Sequence, residues 1–147
     1  MDKPDIDSMH QINDSDLKTQ LQEILGGIIA TLDIYEAIDN GESYDIVNLK
    51  NNDILFEDVN LNIVANIIAA ALNTGDEVNI STVESILKTE KYAVSKMVEV
   101  KIYEELSENA TDLDKLAIYE TKLTEAEHKS SNAVEKLLSQ CQSLISI

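Results

Sequence analysis

The sequence contains no arginine and no tryptophan, and it has one cysteine, one proline and one phenylalanine. A single cysteine, Cys141, excludes an intramolecular disulfide and the disulfide-stapled scaffold of many small secreted proteins. Without arginine, the chain lacks the planar, fork-shaped donor that proteins favour for phosphate and carboxylate recognition. Because aromatic residues are so few, any hydrophobic core has to be built mainly from Leu, Ile, Val and Ala.

Several functional motifs are also missing. No run of about 18 apolar residues is present, which argues against a membrane-spanning helix. The N-terminus is acidic and has no apolar signal core. The sequence carries no glycine-rich phosphate loop, no nucleophile elbow and no cysteine-pair metal motif. We therefore predict a cytoplasmic protein that is not an enzyme, with no cofactor and no metal site.

What the chain does have is negative charge. It carries 28 acidic residues against 11 basic ones, all lysine, for a net charge of −17. A net charge of roughly 2–8 units already suffices to keep a small domain soluble. An excess of this size repels nucleic acid and anionic membranes and attracts basic surfaces. The predicted partner is a basic protein surface, such as that of a nucleic-acid-processing enzyme, with no direct binding to nucleic acid or membranes.

The acids of the first half have few compensating lysines. Residues 1–60 hold 14 of the 28 acids but only three of the 11 lysines. In the second half, acids and lysines alternate at helical spacing, which is ordinary for an exposed helix. We interpret the first half as a surface that imitates a nucleic-acid backbone, as an inhibitor from a phage or mobile element would. A merely solvated acidic face is the alternative. The candidate partner-binding residues are Asp33, Glu36, Asp39, Glu42, Asp45, Asp53, Glu57 and Asp58.

The predicted fold is all-α, with about four helices. Residues 1–13 contain the only proline and lack periodicity, which indicates a flexible acidic lead-in. Residues 14–147 are predicted to form one helical domain. It divides into an acidic half over 14–75 and a long helical hairpin over 80–147.

Apolar residues recur at helical spacing from Leu17 to Ile38, which predicts a first helix that ends at Gly41. On such a helix Asp33, Glu36 and Asp39 would form a row of carboxylates about 5–6 Å apart. The Gly26-Gly27 pair would lie inside the helix and indicates close packing against a neighbour, with a kink as the alternative.

The segment 43–56 is ambiguous. It fits a small β-hairpin with an Asn-rich turn, or a short helix and a loop, and we favour irregular or short helical structure. Asp58 then caps a second helix, which should be the most buried because its apolar face is broad. Asn79 or Ser81 caps the third.

The last helix has the clearest pattern. Its apolar and small residues alternate at spacings of three and four, a heptad seam that predicts packing against the third helix. The positions proposed for helix packing or oligomerisation are Leu116, Tyr119, Leu123, Ala126, Ala133, Leu137 and Leu144. In its helix lengths and small-residue placement, this hairpin resembles the oligomerisation segment of phage small terminase subunits. The alternative function is an oligomeric structural or assembly protein, such as a viral component or chaperone, that uses the hairpin over 83–145. A hairpin of two such helices leaves apolar surface uncovered, and a homodimer is one way to cover it.

Two further candidates carry little weight. Glu125 and His128 have the i, i+3 spacing used in di-metal helical bundles, but such sites need a second Glu-x-x-His pair. The only other histidine is His10, in the lead-in. Cys141 lies near the core-facing side of the last helix, where a buried, unreactive thiol is expected.

Overall fold

The structure is a computed structural model that describes residues 15–30 and 33–145, so the predicted lead-in over 1–13 lies outside the described residues. Within this part of the chain, α1 spans Ser15–Gly26 and a three-stranded sheet follows. Its strands are β1 (Tyr35–Asp39), β2 (Tyr44–Asn48) and β3 (Ile54–Val59). Helices α2 (Asn62–Asn73), α3 (Ile80–Asn109) and α4 (Leu113–Ile145) complete the order. The all-α prediction is therefore wrong: the fold is mixed, helix-dominated, with an antiparallel sheet.

The first predicted helix is too long. Helix α1 buries Leu17, Leu21 and Ile24 at helical spacing and ends at Gly26. The backbone N–H of Gly27 bonds to the carbonyls of Glu23 and Ile24, which closes the last turn. A Cβ added to Gly26 would meet nothing within 4 Å, so close helix packing does not explain the glycine pair. The pair marks a helix end.

The sheet is a simple meander with the order β1-β2-β3. Between β1 and β2, Gly41 adopts a left-handed conformation with φ of 101°, which glycine tolerates without strain. The second hairpin, β2–β3, turns through the Asn-rich stretch 49–53, so the hairpin alternative for 43–56 is correct and the irregular one is wrong. Two register shifts interrupt the β2–β3 pairing, and both place an extra residue on β3.

The inner face of the sheet packs on α2. Ile46, Phe56 and Val59 are buried there, and α2 is buried along most of its length. Helix α2 begins at Asn62, three residues later than predicted, because Asp58 and Val59 belong to β3. One hydrophobic core joins α1, the sheet, α2, the first half of α3 and the last turns of α4.

Helices α3 and α4 are joined by residues 110–112 and pack against each other as a hairpin. Of the seam residues, Ala126, Ala133 and Leu137 are buried. The others, Leu116, Tyr119, Leu123 and Leu144, are half-buried. No buried residue of α3 follows Val94 and none of α4 precedes Ala126, so the far half of the hairpin extends beyond the core. None of the described helices is long and apolar enough to cross a bilayer.

Candidate functional site

The eight candidate acids do not lie on a helix. Glu36 and Asp39 belong to β1, Asp45 to β2, and Glu57 and Asp58 to β3. Asp33 precedes β1, Glu42 lies in the first hairpin turn, and Asp53 lies in the second. The predicted row of carboxylates on a helix is therefore wrong. The structure nevertheless places seven of the eight acids on one sheet or its turns, and Asp33 lies two residues before β1.

Four of the acids meet at the β1–β2 turn end of the sheet, and local hydrogen bonds hold three of them. The Asp39 carboxylate accepts the N–H of Gly41 at 2.8 Å. Asp45 Oδ1 accepts the Asn40 amide at 3.1 Å and the backbone N–H of Asp58 at 3.3 Å. Asp58, which has a left-handed φ of 59°, accepts the Ser43 hydroxyl at 3.4 Å. The fourth acid, Glu42, is exposed in the turn between them.

The other carboxylates have no such structural role. Asp33, Glu36, Glu42, Asp53 and Glu57 are exposed, and their side chains make no hydrogen bond or ion pair with any described residue. Between residues 33 and 59 the sequence offers one lysine, Lys50, in the β2–β3 turn. The negative charge of this region is therefore largely uncompensated.

Apolar side chains accompany the acids on the outer face of the sheet. The register pairs Ile38 with Asp45, Glu36 with Val47, and Val47 with Ile54. Because side chains alternate between the two faces of a strand, these residues share the face opposite the core. Ile38 is 41% exposed and Ile54 is 50% exposed. We call this surface, made of Glu36, Ile38, Asp45, Val47 and Ile54, the outer sheet face.

A metal centre does not emerge from these acids. Across the described residues, no three His, Cys, Asp or Glu side chains are grouped so as to hold a metal ion. His128 is exposed on α4. Glu125 forms an ion pair with Lys122 at 3.9 Å and does not pair with His128.

A buried carboxylate that was not among the predicted site residues, that of Glu90, binds the backbone between β3 and α2. Glu90 of α3 is 0% exposed, and its two oxygens accept the backbone N–H groups of Asn60 at 2.7 Å and Leu61 at 3.1 Å. Leu61 occupies the N-cap of α2 and has no side chain that can cap it. Glu90 therefore supplies from another helix the cap that a local Ser or Asp ordinarily provides.

Burial is the main influence on the ionisation of this carboxyl. Removal from water raises the pKa of Glu90 to about 8, while its two backbone hydrogen bonds pull the pKa down. Cys141 of α4 is also fully buried. Burial first, and then the charge of Glu90, raises the pKa of the Cys141 thiol to about 12. A thiol in this state is a poor nucleophile, because the thiolate is the reactive form.

A sequence signal for Glu90 did exist. It follows Ile86 by four residues and precedes Val94 by four, so it lies on the apolar stripe of α3. A lone acid on a core-facing stripe indicates a buried partner, which only the three-dimensional structure identifies.

The chain matches no protein-family model, no curated protein and no solved structure. Its function therefore has to be inferred from its own residues.

Proposed function

We propose that the outer sheet face and the free carboxylates around it bind a basic surface of another protein. The observation that supports this most directly is a combination on one sheet. Ile38 and Ile54 are exposed on its outer face beside the uncompensated Glu36, and the other free carboxylates surround that face on the turns and strands. Exposed apolar groups rimmed by polar ones are typical of protein-binding surfaces. The carboxylates select a partner that presents lysine or arginine around an apolar contact.

The two kinds of side chain would contribute differently to binding. The negative charges attract the partner before contact, so they act mainly on the association rate and weaken with added salt. Ile38, Val47 and Ile54 would make the short-range contact, so they act mainly on the dissociation rate. No catalytic step is proposed for this surface.

The narrower version of the proposal is an inhibitor that imitates nucleic acid, for which a phage or mobile element is the expected source. The even helical spacing that first favoured it is absent, and the net charge of −17 is the remaining support. Direct binding of nucleic acid is not expected, because phosphate affinity depends on clustered basic charge. Displacement of a bound partner by duplex DNA or RNA would distinguish a nucleic-acid site on that partner from any other basic surface.

The test compares two variants of equal net charge. The sheet variant carries Glu36→Gln, Glu42→Gln, Asp53→Asn and Glu57→Gln, four free carboxylates. The control variant carries Glu104→Gln, Glu105→Gln, Glu108→Gln and Glu120→Gln, all exposed on the hairpin. A partner captured by the native chain at low salt and identified by mass spectrometry is then measured for its association rate with each variant. Slower association with the sheet variant alone supports the proposal; equal slowing, or none, overturns it.

Assembly through the hairpin is the second candidate. Leu113 is 80% exposed and Ile118 is 57% exposed, both on the first turns of α4. Self-association there would be hydrophobic and would persist at high salt. Sedimentation of the native chain and of Ile118→Lys at about 0.5 M salt, a concentration at which the Debye length is only a few ångströms, distinguishes this candidate from a charge-driven contact.

A further inference from the structure

The hairpin carries a basic groove on this otherwise acidic protein. A cavity of about 410 Å³ lies between α3 and α4, and three of the chain's 11 lysines line it: Lys88, Lys129 and Lys136. No acidic side chain of the described residues lines it. The groove therefore holds a local charge of +3 on a chain of net charge −17.

These three lysines are unpaired within the part of the chain that the structure describes. None of them makes an ion pair or a hydrogen bond with any described residue. Lys96, one turn beyond the groove, shows the contrast: it pairs with Glu99 at 3.1 Å and lies 5.3 Å from the centroid of the Tyr92 ring. Three uncompensated cations facing one concavity repel one another, and a bound anion would relieve that repulsion.

The remaining lining suits a ligand with a flat part. Tyr92 is 48% exposed at the edge of the groove, so a flat group can reach its ring although Lys96 Nζ already lies over the ring at 5.3 Å from the centroid. The Asn132 amide lines the wall and has no hydrogen-bond partner among the described residues. The small side chain of Ala133 forms part of the floor, which lets the groove reach down between the helices.

The overall negative charge does not preclude anion binding here. At physiological ionic strength the Debye length is about 8 Å, so exposed charges farther away are largely screened. Acids within that distance, such as Glu84 one turn from Lys88 and Glu125 one turn from Lys129, still act on the groove. They do not line it, however, so the three lysines are the charges nearest to a ligand inside it. The volume lies within the range of roughly 300–1,000 Å³ that is usual for small-molecule sites.

We propose that this groove binds a small polyanion that carries two or more phosphate groups, with Lys88, Lys129 and Lys136 contacting the phosphates. Lysine is a common phosphate ligand that acts as a point charge, so it needs no planar geometry from the ligand. A nucleoside diphosphate would add a ring that stacks on Tyr92. This site is independent of the outer sheet face.

The experiment titrates the full chain with inorganic pyrophosphate at constant ionic strength and follows backbone amide shifts. Saturable shifts confined to the groove are expected. The groove variant Lys88→Gln/Lys129→Gln/Lys136→Gln should weaken binding about a hundredfold, at roughly fivefold for each exposed ion pair lost. Lys101→Gln/Lys115→Gln/Lys122→Gln has the same net charge and should leave binding unchanged. The single change Lys136→Gln, expected to cost about fivefold, serves if the triple variant does not fold.

Three results would overturn the proposal: shifts that do not saturate, equal weakening in the control variant, or pyrophosphate binding no tighter than sulfate. Titrations with citrate and with adenosine diphosphate, compared with pyrophosphate, define the class of ligand more closely. Citrate binding as tightly as pyrophosphate would show that charge alone is recognised and would contradict a preference for phosphate. Tighter binding of the diphosphate, lost in Tyr92→Leu, would support the ring contact.

Discussion

The side-chain amide of Asn73 both accepts a hydrogen bond from the backbone of Tyr35 and donates one to it. Its Oδ1 accepts the Tyr35 N–H at 2.8 Å, and its Nδ2 donates to the Tyr35 carbonyl at 2.8 Å. The same Oδ1 also accepts the N–H of Ile34 at 3.0 Å. The last residue of α2 thus occupies the position of a neighbouring strand at the start of β1, and it ties that strand to helix α2.

Replacement of Asn73 by Ala should destabilise the fold. Three backbone groups would lose their partner in a partly buried place, which costs roughly 1–3 kcal/mol in the free energy of unfolding for an unsatisfied buried group. Urea denaturation followed by circular dichroism measures this loss. Asn66→Ala, on the same helix, removes only a contact with Asn62 and should cost much less. Equal losses in the two variants would mean that Asn73 does not anchor β1.

Glu90 predicts a pH dependence of stability. Its pKa is raised in the folded protein to about 8, above its ordinary value of 4.5. Between these values the folded state holds the proton more tightly than the unfolded state, so the free energy of unfolding falls as the pH rises. The slope is at most about 1.4 kcal/mol for each pH unit.

The measurement compares the native chain with Glu90→Gln at pH 6, 7 and 8. The variant cannot ionise at this position, so the native chain should lose stability relative to it across that interval. Both proteins contain the same exposed acids, so the contribution of those acids to the pH dependence of stability cancels in the comparison. Parallel stability profiles would mean that the two backbone hydrogen bonds keep Glu90 ionised throughout, in spite of its burial.

Ala133 lies buried where α3 and α4 approach each other. Replacement by Phe should overpack the hairpin and lower the free energy of unfolding by roughly 1–3 kcal/mol. Ala117→Phe, at an exposed position of the same helix, is the matched control and should have little effect. A melting temperature that is unchanged in Ala133→Phe would show that the seam is not tightly packed there.

Cys141 should be unreactive in the native protein. It is fully buried and its pKa is raised to about 12, so both access and thiolate formation are suppressed. Labelling with a thiol reagent at pH 8 should be slow in buffer and fast in denaturing urea. Because Cys141 shares the core with Glu90, the slow labelling rate should report opening of α4 from that core. Rapid labelling in buffer would contradict the burial of this residue.

The sequence by itself determined the charge, because net charge is a sum over residues. It also determined the long hairpin region and the burial of α2, because a long apolar periodicity is compatible with few structures other than a helix. It did not determine the structure of residues 33–59. The apolar residues from Leu17 to Ile38 can be read as one helical stripe, yet in β1 Tyr35 and Ala37 lie on the core side of the sheet and Glu36 and Ile38 on its outer side. Periodicity alone does not separate these over so few residues.

Tertiary contacts decided that region. The backbone of Tyr35 finds its partner in Asn73, far along the chain, while the backbone N–H groups of Asn60 and Leu61 find theirs in Glu90. Such pairings depend on which groups meet in space. They place the predicted helical row of acids on a sheet. The packing of α3 against α4 likewise brings three lysines, distant in sequence, to one groove. The physical reason is that hydrogen bonds and charges act over ångströms in space, whatever their separation in sequence.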